Sequence, residues 1–211
     1  MAEAEELIKK LRTERYGGEG YADAIKKLAF EGDKAVVPLS NALKDKGQPP
    51  EVRRGAALVF VRMAQEGRLG GIPQESREVM VDALLHGLAD KEFGIDKECA
   101  FTLSAGGLIN SVPKLKDRAV KELISRREEL GEWTFRVLRE IDYSGISQET
   151  REQSIEALNK VIDKNKGKPD FDSEVRAAQK IIKEIEKGRG VSVEPAEKTL
   201  KKALEKKNVN V

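Results

Sequence analysis

Every apolar stretch in this chain repeats with a period close to 3.6 residues, and that constrains the fold more than any other feature. Ala4, Leu7, Ile8 and Leu11 stand at i, i+3, i+4 and i+7, the spacing that places side chains on one face of a helix. The pattern returns with Tyr21, Ile25, Leu28 and Ala29, then with Val52, Ala56, Val59 and Met63, and again with Val175, Ala178, Ile182 and Ile185. No segment shows the strict alternation of a half-buried strand. Aromatics make up only 5% of the chain, so Leu, Ile, Val and Ala must supply the core, which favours helix over strand. The expected fold class is all-α.

Gly and Pro punctuate the periodic segments. A first helix ends before Gly17 to Gly20, and a second ends at Gly32, with Asp33 expected to cap the third. The third runs from Asp33 to Asp45, interrupted by Pro38, and pairs with a fourth bearing Val52 to Met63. A Gly/Pro-rich linker from Gly67 to Pro73 precedes helices over 75–89 and 95–109. Further helices are predicted from Pro113, over 133–141, 147–163 and 173–186, and from Pro195 with Leu200, Ala203 and Leu204. That is eleven helices.

Three short phrases mark their pairing. Leu43-Lys44-Asp45-Lys46, Leu88-Ala89-Asp90-Lys91 and Val161-Ile162-Asp163-Lys164 each close the first helix of a pair, and the first two are 45 residues apart. That spacing belongs to stacked helical hairpins. The expected architecture is one α-solenoid over 1–211, with a helical cap at 1–31, hairpins over 32–187, and a C-terminal helix and tail over 188–211.

The clearest unit is Pro38-Leu39-Ser40-Asn41-Ala42-Leu43-Lys44-Asp45 followed by Val52-Arg53-Arg54-Gly55-Ala56-Ala57. It resembles a HEAT repeat, in which a Pro bends the first helix, Leu residues fill the seam, Asp sits in the turn, and Val-Arg-x-x-Ala opens the second helix. Lys97 and Ala100 stand in the corresponding places of the next pair, and Val175-Arg176-Ala177-Ala178 in those of the last. The resemblance implies an armadillo-like superhelix whose second helices line a concave binding face. It also implies that Asp45, Arg53 and their counterparts pair between neighbouring units.

Charge and chemistry narrow the function classes. Basic and acidic residues number 39 and 37, too balanced for a nucleic-acid arm or an acidic tail. Glu and Lys together make 50 of the residues, a composition like that of thermophile, archaeal-like chains. The single cysteine, Cys99, and the lack of a secretory or membrane-spanning run point to a cytoplasmic protein. His86 is the only histidine, so neither a catalytic triad nor a multi-His metal site is expected. That also sets aside deoxyhypusine hydroxylase, an enzyme of similar fold that needs several His-Glu pairs for its iron. Cys99 reads as a buried small side chain, Trp133 as core or interface, and Asp142 as a helix terminator.

The expected function is therefore a non-catalytic scaffold, without cofactor or metal, that binds another protein through its concave helical face. The alternative is nucleic-acid binding through a basic stripe on the second helices. Arg53, Arg54, Lys97, Arg136, Arg139, Arg176 and Lys180 are the candidate partner-binding residues, with a Lys-rich C-terminus beyond them. Glu51, Glu98, Glu132, Glu140, Glu174 and Glu184 are interleaved with that stripe, which favours an ion-pair network over a cationic groove.

Overall fold

The computed structural model describes residues 2–188, which form eleven α-helices joined by turns and short 3-10 segments, with no strand among them. In chain order they are α1 (Ala2–Thr13), α2 (Glu19–Glu31), α3 (Asp33–Lys44), α4 (Pro50–Gln65), α5 (Gln74–Gly87), α6 (Ile95–Ser104), α7 (Lys116–Ser125), α8 (Arg127–Leu130), α9 (Glu132–Glu140), α10 (Gln148–Asn165) and α11 (Asp172–Lys187). The helix expected from Pro195, and the Lys-rich tail with it, lies outside the described residues.

The helices pack as successive hairpins. α1 lies on α2, α3 on α4, α5 on α6, α7 on α9 and α10 on α11. The first helices stack on one side, α1 against α3, α3 against α5, and α7 against α10. The second helices stack on the other, running α2, α4, α6, α9, α11. Each hairpin touches its neighbours in the chain, which is the order of an α-solenoid. Residues 2–31 form a hairpin, α1 with α2, that packs on α3 and α4.

The apolar stripes meet between the layers. Leu39, Leu43, Val52, Val59, Met63, Met80, Leu84, Leu88, Cys99 and Leu103 are all buried there, each large aliphatic side chain contributing about 1.5–3 kcal/mol of burial. Close packing between the helices needs glycine at Gly55 and Gly87, among other places. A Cβ on Gly55 would stand 2.6 Å from the Tyr21 hydroxyl and 3.0 Å from Leu11 Cδ1, and one on Gly87 would collide with Cys99 Sγ.

Four local expectations are corrected. Pro38 does not interrupt its helix, because α3 runs through it and loses only the one hydrogen bond a proline cannot donate. Asp33 is the first helical residue and not the cap, since Gly32 occupies that place with φ 57°, a conformation that costs glycine little. The segment from Gly67 to Pro73 is more than a linker: Leu69 and Ile72 are buried in the core, held by a 3-10 turn. The helix expected over 95–109 ends at Ser104 and gives way to 3-10 turns, so Pro113 opens a turn and α7 begins three residues later.

Candidate functional site

Arg53 is the fourth residue of α4 and is only 1% exposed. Its Nε donates to Asp90 Oδ2 at 2.8 Å, its Nη2 to Glu92 Oε2 at 2.8 Å, and its Nη1 to the Gln48 carbonyl. Asp90 sits in the turn of the next hairpin, so this is a bond between units. Lys46 Nζ lies 2.7 Å from the same Asp90 carboxylate, and the Glu92 N–H donates to Asp90 Oδ1 at 3.2 Å. Burial pushes the Asp90 carboxyl up, but the hydrogen bonds from Lys46, Arg53 and the Glu92 N–H outweigh it and hold the group below its usual range. Arg53 is thereby removed from the set of residues a partner can touch.

Arg54, one residue on, turns toward the outer face of the second helices. Its Nη2 lies 2.6 Å from Glu98 Oε1 on α6, and its guanidinium rests 5.2 Å from the Tyr16 ring centre and 5.4 Å from that of Phe93. Tyr16 and Phe93 themselves meet edge to face at 4.8 Å. Phe93 makes this contact with φ at 54°, a left-handed conformation that a non-glycine residue adopts at a cost. A second aromatic and guanidinium group follows along the same layer, where Phe101 of α6 meets Trp133 of α9 at 5.8 Å and Arg136 covers both rings.

The other candidates stay apart. Lys97, Arg136, Arg139, Arg176 and Lys180 are exposed, and none has a carboxylate partner within 4.0 Å among the described residues. Arg136 and Arg139 border an open groove of about 480 Å³ between α9 and α11, but Glu132, Glu140 and Glu174 line it as well. The stripe is mixed in sign where it is unpaired, and neutralised where it is well ordered.

Among the described residues, the ladder expected to run along the turns exists at one step only. Lys97 is solvent-exposed and does not stand in the place of Arg53; Asp45 accepts from the Gly47 N–H instead of from an arginine; Asp163 and Arg176 are both exposed. The reason is that each rung needs an arginine in one unit and an acid in the turn of the next. The helix α2, which precedes Asp45 in the second layer, offers Tyr21, whose hydroxyl donates to the Glu51 carbonyl at 2.6 Å. The helix α9, which precedes Asp163, begins Glu132-Trp133-Thr134-Phe135. Weaker surface pairs join the units elsewhere: Lys91 to Glu129 at 3.1 Å, Lys164 to Glu128 at 3.5 Å, and Lys44 with Arg118 on Asp82.

The residues weighed for chemistry fall into structural places. His86 is exposed. Cys99 is buried, and burial together with the nearby Asp90, Asp96 and Glu98 charges pushes its thiol well up, the opposite of a reactive thiolate. Asp142 follows the end of α9 and anchors the next loop. Hydrogen bonds from the Ser144 hydroxyl and N–H, and then from Lys116, lower its carboxyl to about 2. The described residues hold no cluster of three or more His, Cys, Asp or Glu side chains placed to share a metal ion. None of their helices is long and apolar enough to cross a membrane.

Sequence reasoning missed the aromatic members of these groups. Tyr16, Phe93 and Phe101 stand in separate segments, and only the packing of α4, α6 and α9 brings each beside an arginine. The signal available was the scarcity of aromatics, several of which fall next to the second helices.

No family model matches the chain, and no curated protein matches it. Among solved structures, it is similar to an engineered protein determined by the Northeast Structural Genomics Consortium, at 19% identity over 89% of this chain and 98% of that one, with a TM-score of 0.44.

Proposed function

We propose that this chain is a HEAT-like scaffold that binds a segment of another protein along the face of its second helices, without catalysis. The carrying observation is the half-exposed group of Phe101, Trp133 and Arg136 beside the mixed-charge groove between α9 and α11. Trp and Arg are the side chains in which binding energy concentrates at protein interfaces. Neighbouring carboxylates and cations suit a polypeptide carrying both signs better than they suit a uniform phosphate backbone. The HEAT reading is supported by the unit from Pro38 to Ala57 and by the Arg53–Asp90 bond that joins it to the next hairpin. The cytoplasmic setting rests on the single, unpaired Cys99.

Nucleic-acid binding is the second reading, favoured by the exposed Lys97, Arg136, Arg139, Arg176 and Lys180. One comparison separates the two. Cross-linking in a source lysate is run with the unaltered chain and with a Trp133→Ala, Arg136→Glu variant, before and after nuclease. Capture of one protein that survives nuclease and is lost in the variant supports the scaffold. Capture that nuclease abolishes, or gel retardation of duplex or RNA that weakens steeply with salt, replaces it with the second reading.

A further inference from the structure

The turn edge of the array treats two corresponding places differently. Between the α3/α4 and α5/α6 hairpins, the fourth residue of α4 is Arg53, and its guanidinium fills the space beside Asp90-Lys91-Glu92. Between the α7/α9 and α10/α11 hairpins, the fourth residue of α9 is Phe135, and Asp163-Lys164-Asn165 forms the last residues of α10, just before the corresponding turn. No guanidinium enters from α9. A cavity of about 320 Å³ lies there, with Phe135 and Phe171 on its apolar side and Asn165 on its polar side.

Asn165 is the informative member. It is only 7% exposed, yet its side-chain amide makes no hydrogen bond among the described residues. Its amide atoms are not sealed from solvent but open to the cavity, where a ligand can take up the bonds the protein leaves unmade. The backbone turn that carries it, closed by the Lys168 N–H on the Asn165 carbonyl at 3.1 Å, brings Lys168 to the same cavity. Arg127 and Lys164 also border it, and both lean on one carboxylate, Glu128, at 3.6 and 3.5 Å. With Glu174 as the other acid, three cations face two carboxylates, leaving one surplus positive charge.

We propose that this cavity binds the C-terminal residue of a polypeptide. The terminal carboxylate lies against the Lys168 ammonium and accepts from the Asn165 amide N–H, while the last side chain, an apolar one, rests against Phe135 and Phe171. One surplus positive charge matches a carboxylate and leaves a dianionic phosphate undercompensated. The volume stands at the low end of small-ligand sites, roughly 300–1,000 Å³, room for one or two residues. A chain end places its charge and its apolar side chain on the same residue, as an aromatic wall beside an amide and an ammonium requires. An internal acidic residue separates the two and needs the chain to continue past the site on both sides. The cavity adjoins the groove between α9 and α11 and shares Phe135 and Glu174 with it, but Asn165, Lys168 and Phe171 lie outside that groove, so Asn165→Leu and Lys168→Glu test this assignment separately from the second-helix face.

The test uses nuclear magnetic resonance of the full chain with three probes: acetyl-glycyl-phenylalanine as the free acid, the same dipeptide as its C-terminal amide, and phenyl phosphate. The free acid is expected to shift the Asn165 side-chain resonances, and the amide to bind at least about tenfold more weakly, the loss expected of one charge-assisted contact. Asn165→Leu and Lys168→Glu are each expected to weaken the acid by at least about tenfold while the melting temperature holds, as suits changes at a cavity wall and an exposed loop. Lys168→Glu keeps the test valid should Asn165→Leu disturb the turn. Equal binding of acid and amide, no shift with any probe, or tighter binding of phenyl phosphate than of the acid overturns the proposal.

Discussion

At the turn before α6 the array closes on itself, whereas at the turn before α11 it stays open. Both places are built from an apolar seam, a second-layer helix from the preceding unit and an Asp-Lys phrase, which follows α5 in the first and closes α10 in the second. In the first, Arg53 reaches across and saturates Asp90 and Glu92. In the second, Phe135 cannot, and Asn165 borders a cavity with its amide unpaired among the described residues. The hydrophobic spacing sets where hairpins stack. The charged residue at the fourth position of the second helix decides whether the edge between them is sealed.

That contrast is most exposed to failure at Arg53. Arg53→Ala leaves Asp90 buried without its guanidinium, and removing one partner of a buried ion pair costs about 3–5 kcal/mol. Urea unfolding of the variant measures it, and a loss below about 1 kcal/mol, the scale of an exposed pair, would mean that the edge before α6 is no more tightly joined than the one before α11.

Acid should act on the same place. Because the folded carboxyl of Asp90 is held low, its contribution is present above the unfolded value of about 3.9 and is lost as pH falls through the lower folded value. Unfolding free energies measured from pH 5 down to pH 2 should therefore decline more steeply for the unaltered chain than for Asp90→Asn. Parallel curves would place the acid sensitivity elsewhere.

Arg54→Ala sharpens the comparison from the side. Its pair with Glu98 is partly exposed, so the expected loss is about 1 kcal/mol or less, far below that of its neighbour. Smallest of all are Asp163→Asn and His86→Ala, both exposed, each expected within about 0.5 kcal/mol in thermal melts. A large effect of Asp163→Asn would show that the edge before α11 carries a rung after all.

Much of the architecture was legible beforehand, for a physical reason. Leu39, Leu43, Val52, Ala56, Val59 and Met63 announce a hairpin because burial needs them on one face of each helix, and local periodicity records that need. The unit around Pro38 and Arg53 was legible for the same reason. The break of the segment after Pro113 into α7 and α8 was not. It falls at Arg126, whose φ of −99° and ψ of 13° leave the helical range, and no Gly or Pro marks that place in the sequence. The basic stripe was legible as a list and misleading as a surface, since Arg53 points inward, Arg54 lies across Glu98, and Arg136 and Arg139 share their groove with Glu132, Glu140 and Glu174.

The sequence by itself determined the helical class, the hairpin order and which side chains form the seam, because those follow from the 3.6-residue period and from Gly and Pro between segments. It also identified Arg53 as the residue to watch, through its place after Val52 in the second helix. Only the tertiary structure decided which acid it meets, that the rung occurs once, that aromatics from separate segments gather around Arg54 and Arg136, and that Asn165 borders a cavity. Those outcomes depend on contacts between residues 30 to 45 positions apart, and a distance of a few ångströms between such residues is a property of how the layers stack, which no local spacing encodes.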